Sequence, residues 1–267
     1  AYDGSPSPLF RAASFVWNTS LFVVGGHTDV DFEVTADVWR ADIHAFEGIT
    51  REGMWRQVNV TTANDSLGVD ILPQGRYGHT ATVLDTSNGS SNSTERVWVI
   101  VLGGMDGYQT LVEDNHILLL KDTTGDTIQC AASALPLGSQ TCSDLQPTRP
   151  LDTTGEWWSL EQRLASDSTS SSTSSSSAPP PRAYHTAASL PSDGLGNTSC
   201  LYVFGGWDYL NSILYGDLWR LCPVAGWLGS SNTTRFRWTE LNPAGSSPLA
   251  RYSTVLCDGV GSLGKGV

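Results

Sequence analysis

A short string, Pro-x-x-Arg, recurs at matching places along this chain: Pro8-Leu9-Phe10-Arg11, Pro73-Gln74-Gly75-Arg76, Pro179-Pro180-Pro181-Arg182 and Pro248-Leu249-Ala250-Arg251. After each of the first three comes an apolar run that ends in a glycine pair, at Gly25-Gly26, Gly103-Gly104 and Gly205-Gly206. Eleven positions after each second glycine a polar residue, Asp37, Asn115 or Asp217, opens another apolar stretch. A tryptophan in the form Trp-x-x-aliphatic closes each unit, at Trp55 to Val58, Trp157 to Leu160 and Trp238 to Leu241. The chain is therefore a repeat protein, and its fold must come from stacking like units.

The segments Leu21 to Val24, Val97 to Leu102 and Leu201 to Phe204 are short, rich in β-branched and aromatic residues, and stop at glycine. They read as strands, and no stretch carries a helical period. A Gly pair at a strand end suits a backbone that needs positive φ, or one approached too closely for a Cβ. Four-stranded units that cannot bury their own faces must stack, and radial stacking makes a β-propeller.

These residues resemble the kelch family, whose repeat runs Arg-aromatic-x-His, an apolar strand ending in Gly-Gly, an Asp-aromatic strand and a spaced Trp. Arg76-Tyr77-Gly78-His79 with Gly103-Gly104 matches it, as does Arg182-Ala183-Tyr184-His185 with Gly205-Gly206, Asp217-Leu218-Trp219 and Trp238. The first unit departs, with Arg11-Ala12-Ala13-Ser14, and the fourth has Arg251-Tyr252-Ser253. The resemblance implies an all-β, kelch-type β-propeller: blade 1 over about 8–60, blade 2 over about 73–162, blade 3 over about 182–243, and the first strand of blade 4 over 248–267. Kelch rings close with more blades than this, so the chain is expected to be part of a longer polypeptide or to be completed by others. Successive Arg positions lie roughly 65 to 105 residues apart, against ~50 for a kelch repeat. The excess is assigned to insertions at 121–156 and at 166–181, the second a Ser/Thr run ending in prolines that cannot bury enough apolar surface to order itself.

Composition narrows the partner. The net charge is −12 and the pI about 4.6, which argues against nucleic acid or an anionic membrane as partner, and no apolar run reaches the length of a membrane-spanning helix. Seven of the ten asparagines, Asn18, Asn59, Asn64, Asn88, Asn92, Asn197 and Asn232, lie in Asn-x-Ser/Thr, where chance in so Ser/Thr-rich a chain places about two. N-linked glycans, and a secreted, cell-surface or luminal location, are the expectation; a secretory leader would already have been removed. The competing reading is that Ser/Thr-rich loops generate sequons incidentally.

In an up-and-down four-stranded unit, connections one-to-two and three-to-four open on one face. Asn18, Asn88, Asn92, Asn197 and Asn232 fall there, and Asn59 and Asn64 in the link between the first two units. The loops after the glycine pairs open on the opposite face and carry no sequon; they offer Asp29, Asp31, Phe32 and Glu33, then Asp106 and Tyr108, then Trp207, Asp208 and Tyr209. Aromatic anchors beside charge are what protein interfaces favour, and kelch resemblance implies binding through this same face. The plainer reading is solvated loops with an aromatic tucked inward. Asp29 to Glu33 lacks the glycine turn and distal Glu of a calcium loop.

Antiparallel pairing about the third glycine loop puts Phe204 opposite Leu218 and Cys200 opposite Cys222, predicting a cross-strand disulfide; Cys130 and Cys142 would close one insertion, leaving Cys257 single. Five buried thiols are the alternative. Enzymatic readings find little: His27, His44, His79, His116 and His185 contain no pair at ligand spacing, and His79 and His185 occupy a repeat position that favours a structural role. No Gly-x-Ser-x-Gly elbow or phosphate-binding loop occurs. The sequence thus points to a non-enzymatic, cofactor-free module that binds proteins or acts as a scaffold, with a lectin-like propeller second and a galactose-oxidase-like enzyme third.

Overall fold

The computed structural model describes residues 6–17, 20–28, 33–42, 55–63, 72–84, 96–123, 152–165, 178–191, 199–224, 235–245 and 248–253. The first sheet holds β1 (Leu9–Phe10), β2 (Ala13–Trp17), β3 (Ser20–Thr28), β4 (Val34–Asp42) and β5 (Trp55–Gln57). The second holds β6 (Asn59–Thr62), β7 (Thr80–Leu84), β8 (Arg96–Leu102), β9 (His116–Thr123) and β10 (Asp152–Ser159). The third runs β11 (Thr186–Pro191), β12 (Ser199–Phe204), β15 (Leu218–Pro223) and β16 (Phe236–Leu241), and the loop after its glycines folds into a hairpin of β13 (Trp207–Asp208) and β14 (Ile213–Leu214). A 3-10 turn spans Glu161–Arg163, and among the described residues no helix is long and apolar enough to cross a membrane. Apart from β6, the strands of each sheet pair antiparallel, and β7 lies against both β2 and β11, a propeller-like arrangement.

Stacking explains why β8 and β9 read as unbroken apolar runs. Val97, Val99, Val101, Leu118 and Leu120 pack on Phe15, Phe22, Val24 and Val38 of the first sheet. Their alternate neighbours Trp98, Ile100, Leu102, Ile117 and Leu119 pack on Leu201, Val203, Trp219 and Leu221 of the third. Strand period two sends successive side chains to opposite faces, so a sheet with a neighbour on each side has no polar face. A buried cluster crosses the first interface: Arg40 donates to Ser20 Oγ (3.0 Å) and Asp122 Oδ1 (3.4 Å) and contacts Thr153, whose hydroxyl bonds Asp122 Oδ1 at 2.7 Å.

Two boundaries differ from the sequence reading. The insertion expected over 121–156 gives up its ends to strands, since β9 runs to Thr123 and β10 starts at Asp152; what remains of it, and 166–177 of the second insertion, lie outside the described residues. The link after Trp55 is itself a strand: β6 pairs in parallel with β10, Asn59 opposite Thr154 and Thr62 opposite Trp157. The same device recurs one sheet on, where Leu164 bridges Phe236 in parallel and the Ala165 N–H donates to the Phe236 carbonyl at 2.8 Å. Each crossing segment thereby covers the outer edge of the following sheet, which would otherwise offer unpaired N–H and C=O groups.

The disulfide expectation holds. Phe204 pairs with Leu218 and Leu201 with Leu221, and Cys200 is joined to Cys222. Cys130, Cys142 and Cys257 lie outside the described residues.

Candidate functional site

The glycine pairs tie each sheet to the next repeat. The second glycine of each sheet donates its N–H to the next repeat's Arg carbonyl: Gly26 to Arg76 (2.8 Å), Gly104 to Arg182 (3.0 Å) and Gly206 to Arg251 (2.9 Å). A second backbone relay runs inside the first, from Gly78 N–H to Arg11 O (3.0 Å), Tyr184 N–H to Gly78 O (2.7 Å) and Ser253 N–H to Tyr184 O (2.8 Å). All four relay residues take positive φ, 56° at Arg11, 66° at Gly78, 55° at Tyr184 and 53° at Ser253.

This relay corrects the phase of the first repeat. Arg11 is equivalent to Gly78 and Tyr184, two places beyond Arg76 and Arg182, and Leu9 holds the arginine position. Strand pairing says the same, since Phe10 lies opposite His27 as Tyr77 lies opposite Met105 and Ala183 opposite Trp207. The Pro-x-x-Arg string at Pro8 is thus out of register, and Ala12 and Ala13 stand where the later repeats have His79-Thr80 and His185-Thr186.

In the later repeats the arginine is a buried brace. Arg182 donates from Nη1 and Nη2 to Asp217 Oδ1 and Oδ2 (2.6 and 2.8 Å) and from Nη1 to the Gly205 carbonyl (2.9 Å), with its guanidinium 4.0 Å from the Tyr215 ring centre. Burial pushes the Asp217 carboxyl up, but hydrogen bonds from Arg182 and from Trp219 Nε1 outweigh it and hold the group below the ordinary range. Arg76 reaches instead the Asp114 carbonyl (2.8 Å) and carboxylate (3.2 Å), because Asn115 at the repeat's acidic position accepts the Gly103 N–H at 2.9 Å.

The histidines sit beneath this brace as neutral rings. Burial, reinforced by the neighbouring arginine charge, lowers His79 and His185 to about 3 and His116 to about 4. His185 Nε2 meets the Thr80 hydroxyl at 2.8 Å; the equivalent hydroxyl for His79 is missing, since residue 13 is Ala. Arg76 Nη2 donates toward His116 Nδ1 at 3.4 Å, which places the His116 proton on Nε2, facing Asp114.

A pH dependence of stability results. The three imidazoles protonate near 6.5 when unfolded and only far lower when folded, so the unfolded state gains protons first as pH falls and stability drops from about pH 6.5 downward. Each contributes about 1.4 kcal/mol per pH unit, together about 4 kcal/mol per unit. Relief of the −12 charge toward the pI of 4.6 works the other way but is screened at about 0.15 M salt. Urea midpoints at that ionic strength should fall steeply from pH 7 to pH 5, and His185→Asn should lose about a third of the slope. Midpoints that stay level across this range would refute the buried neutral state.

Above the brace, at the end of the sheets where the post-glycine loops emerge, a cavity of about 550 Å³ opens. Arg11, Tyr77, Tyr184 and Tyr252 line it from the repeat starts, and Met105, Gln109, Trp207 and Tyr209 from the loops, and no Asp or Glu is among its described lining residues. Trp207 stacks on Tyr252 (centroids 5.3 Å, 27°) and meets Tyr209 edge-on at 5.1 Å. Arg11 hydrogen-bonds the Tyr184 hydroxyl and lies 5.1 Å from the Tyr184 ring centre and 5.8 Å from that of Tyr77.

The loop residues expected to meet a partner divide into two kinds. Tyr108 is 91 % exposed and Tyr209 45 %, while Trp207 is half-buried against Tyr252. The two aspartates hold their own loops: Asp106 accepts the Tyr108 and Thr110 N–H groups (2.9 and 2.8 Å) and Asp208 the N–H and amide of Asn211 (3.0 and 2.7 Å). Glu33 is exposed and its carbonyl accepts the Thr28 N–H; Asp29, Asp31 and Phe32 lie outside the described residues. Of the sequons Asn59 is described, exposed at the start of β6; Asn18, Asn64, Asn88, Asn92, Asn197 and Asn232 lie outside. Among the described residues no group of three or more His, Cys, Asp or Glu is placed to hold a metal ion. Sequence reading missed Arg11, Tyr184 and Tyr252 as cavity residues; the available signal was their place one or two residues past a repeat's aligned position.

No protein-family model and no curated protein matches the chain. Solved structures do: a chain of the RAG complex determined by cryo-EM with one melted and one unmelted RSS, at TM-score 0.49 and 15 % identity over 95 % of this chain and 56 % of that one. Another is YjhT, at TM-score 0.41 and 12 % identity over 90 % of this chain and 53 % of YjhT. The chain spans just over half the length of each.

Proposed function

We propose that the chain is a kelch-type propeller segment of an extracellular or luminal glycoprotein, a non-enzymatic module that binds a protein partner through the face carrying the post-glycine loops. It comprises three complete blades and the start of a fourth, whose Arg251 and Ser253 already take the backbone hydrogen bonds of the repeat against the third sheet. The carrying observation is the apolar exposure of the post-glycine loops: Tyr108 of the second and Tyr209, Leu210, Ile213 and Leu214 of the third are exposed by 45–91 %, and Tyr209 lines the cavity together with Tyr252. Exposed large apolar side chains on these loops favour burial by a partner. The disulfide and the exposed sequon at Asn59 support the oxidising, glycosylating route. A lectin is the second reading, favoured by the flat stack of Trp207 on Tyr252, on which a sugar ring would pack.

Immobilised protein and its Trp207→Ala/Tyr209→Ala variant should be compared for capture of secretory-compartment proteins, before and after glycosidase treatment of the extract. The expected result is a partner protein captured whether or not its glycans are present, and lost at least about tenfold in the variant. Capture abolished by the glycosidase would establish the lectin; equal capture by the variant would put the binding face elsewhere.

A further inference from the structure

We infer that the side of the third sheet turned away from the second receives a fourth β-sheet, and that this sheet presents an Asp or Glu carboxylate to Arg220. The inference rests on the reading above that the chain is a propeller segment, and it names the chemistry of the contact that continues it. Leu201, Val203, Trp219 and Leu221 face the second sheet. Strand alternation therefore turns Tyr202, Arg220 and Thr239, which pair side by side across β12, β15 and β16, to the other side. The fourth repeat starts against the third sheet by the same bonds that start the second against the first. The Arg251 N–H donates to the Tyr215 carbonyl (3.1 Å) and its carbonyl accepts from Gly206 (2.9 Å), as the Arg76 N–H donates to the Thr35 carbonyl (3.2 Å) and its carbonyl accepts from Gly26 (2.8 Å).

Arg220 has a repeat counterpart with described partners. Arg40 lies opposite Phe22 as Arg220 lies opposite Tyr202, each ring residue three places before its sheet's first glycine. Arg40 Nε donates to Ser20 Oγ of its own sheet at 3.0 Å, and Nη1 crosses the interface to Asp122 Oδ1 (3.4 Å) and Thr153 of the second sheet. At Ser20's place the third sheet has Cys200, whose sulfur is bonded to Cys222. Arg220 Nε is accordingly buried with no acceptor, and among the described residues Arg220 makes no hydrogen bond or ion pair. A buried donor left this way on a cation is costly, and a carboxylate in the guanidinium fork satisfies donor and charge together. The middle sheet shows the apolar alternative, with Ile117 at this place, opposite Ile100. Asp122 stands five residues past Ile117, in the sheet that faces Arg40; five past Arg220, in the sheet that faces Ile117, stands Ala225. Acid goes with arginine, and alanine with isoleucine.

The test is labelling of the folded, intact native protein with phenylglyoxal, an arginine reagent, read by peptide mass mapping that also sequences the polypeptide past residue 267. Arg96, exposed at the start of β8, gives the rate of an open arginine, and Arg40 that of a buried one. Arg220 should be as slow as Arg40. An Asp or Glu should stand eighteen or nineteen positions after the second glycine of the next glycine pair, as Asp122 stands eighteen after Gly104. In the intact protein, that acid changed to its amide and Arg220→Met should each lower the urea midpoint. The double variant should recover part of the loss, whereas merely structural effects at the two places would add. Arg220 labelled as fast as Arg96 in a polypeptide that does hold a further repeat would overturn the inference and leave the propeller segment standing. A slow Arg220 with no acid at that place, or with additive effects, would overturn the carboxylate. Protection lost on dilution to the monomer would put a second copy on this face instead. A native polypeptide with no further repeat would fail the segment reading, and the inference with it.

Discussion

Gly103→Ala is expected to cost at least about 3 kcal/mol of stability or to prevent folding. Gly103 sits at φ +58°, and a Cβ there would lie 2.2 Å from the Arg182 carbonyl oxygen and 3.1 Å from the His185 ring. The carbonyl cannot retreat, because it already accepts the Gly104 N–H at 3.0 Å in the bond that ties the second sheet to the third repeat. Gly205 repeats this geometry, with a Cβ 2.5 Å from the Arg251 carbonyl. Gly245 separates strain from crowding: it has φ +107° with nothing within 4 Å, so Gly245→Ala should cost only about 1 kcal/mol. Urea denaturation at neutral pH checks both. If the two variants lose similar stability, the close approach between sheets is not what the first glycine serves.

Arg182→Ala is expected to lose about 3–5 kcal/mol, the cost of breaking a buried pair and leaving one charge behind. Its removal strands the Asp217 carboxylate, which then keeps only the Trp219 donor from this pair of partners, and leaves the Gly205 carbonyl without its side-chain donor. Adding Asp217→Asn to Arg182→Ala should recover part of the loss, since the stranded charge disappears. Arg251 provides the control: it aligns with Arg182 in the repeat but is exposed, so Arg251→Ala should stay within about 0.5 kcal/mol. Denaturant midpoints that rank Arg251→Ala with Arg182→Ala would show that the repeat arginine acts through its backbone alone.

Much of this architecture was legible in the residues. The strands β3, β8 and β12 announced themselves by β-branched content and a terminal glycine pair, and both reasons offered for those glycines, positive φ and a close neighbour, hold at Gly25, Gly103 and Gly205. The disulfide followed from counting outward from a loop, because alternation and antiparallel register are local properties that a sequence carries directly. The exposed tyrosines of the post-glycine loops were legible too, though not the loop-holding duty of Asp106 and Asp208, which depends on how each turn closes.

What the sequence determined by itself was the repeat: all-β units, their order and the antiparallel pairing of the strands that flank each glycine loop. Tertiary structure alone decided the phase of the first repeat, the crossing of β6 to the next sheet and the wall of the cavity. The string Pro8 to Arg11 matches the others by letter, yet its place is set by pairing with Thr28 and by the bond from Gly78, neither of which is visible in four residues. Arg11 reaches Tyr184 across 173 positions. Contacts of that span are chosen by how whole sheets stack, where burial on both faces of the second sheet dominates the energy, and a local pattern carries no record of them.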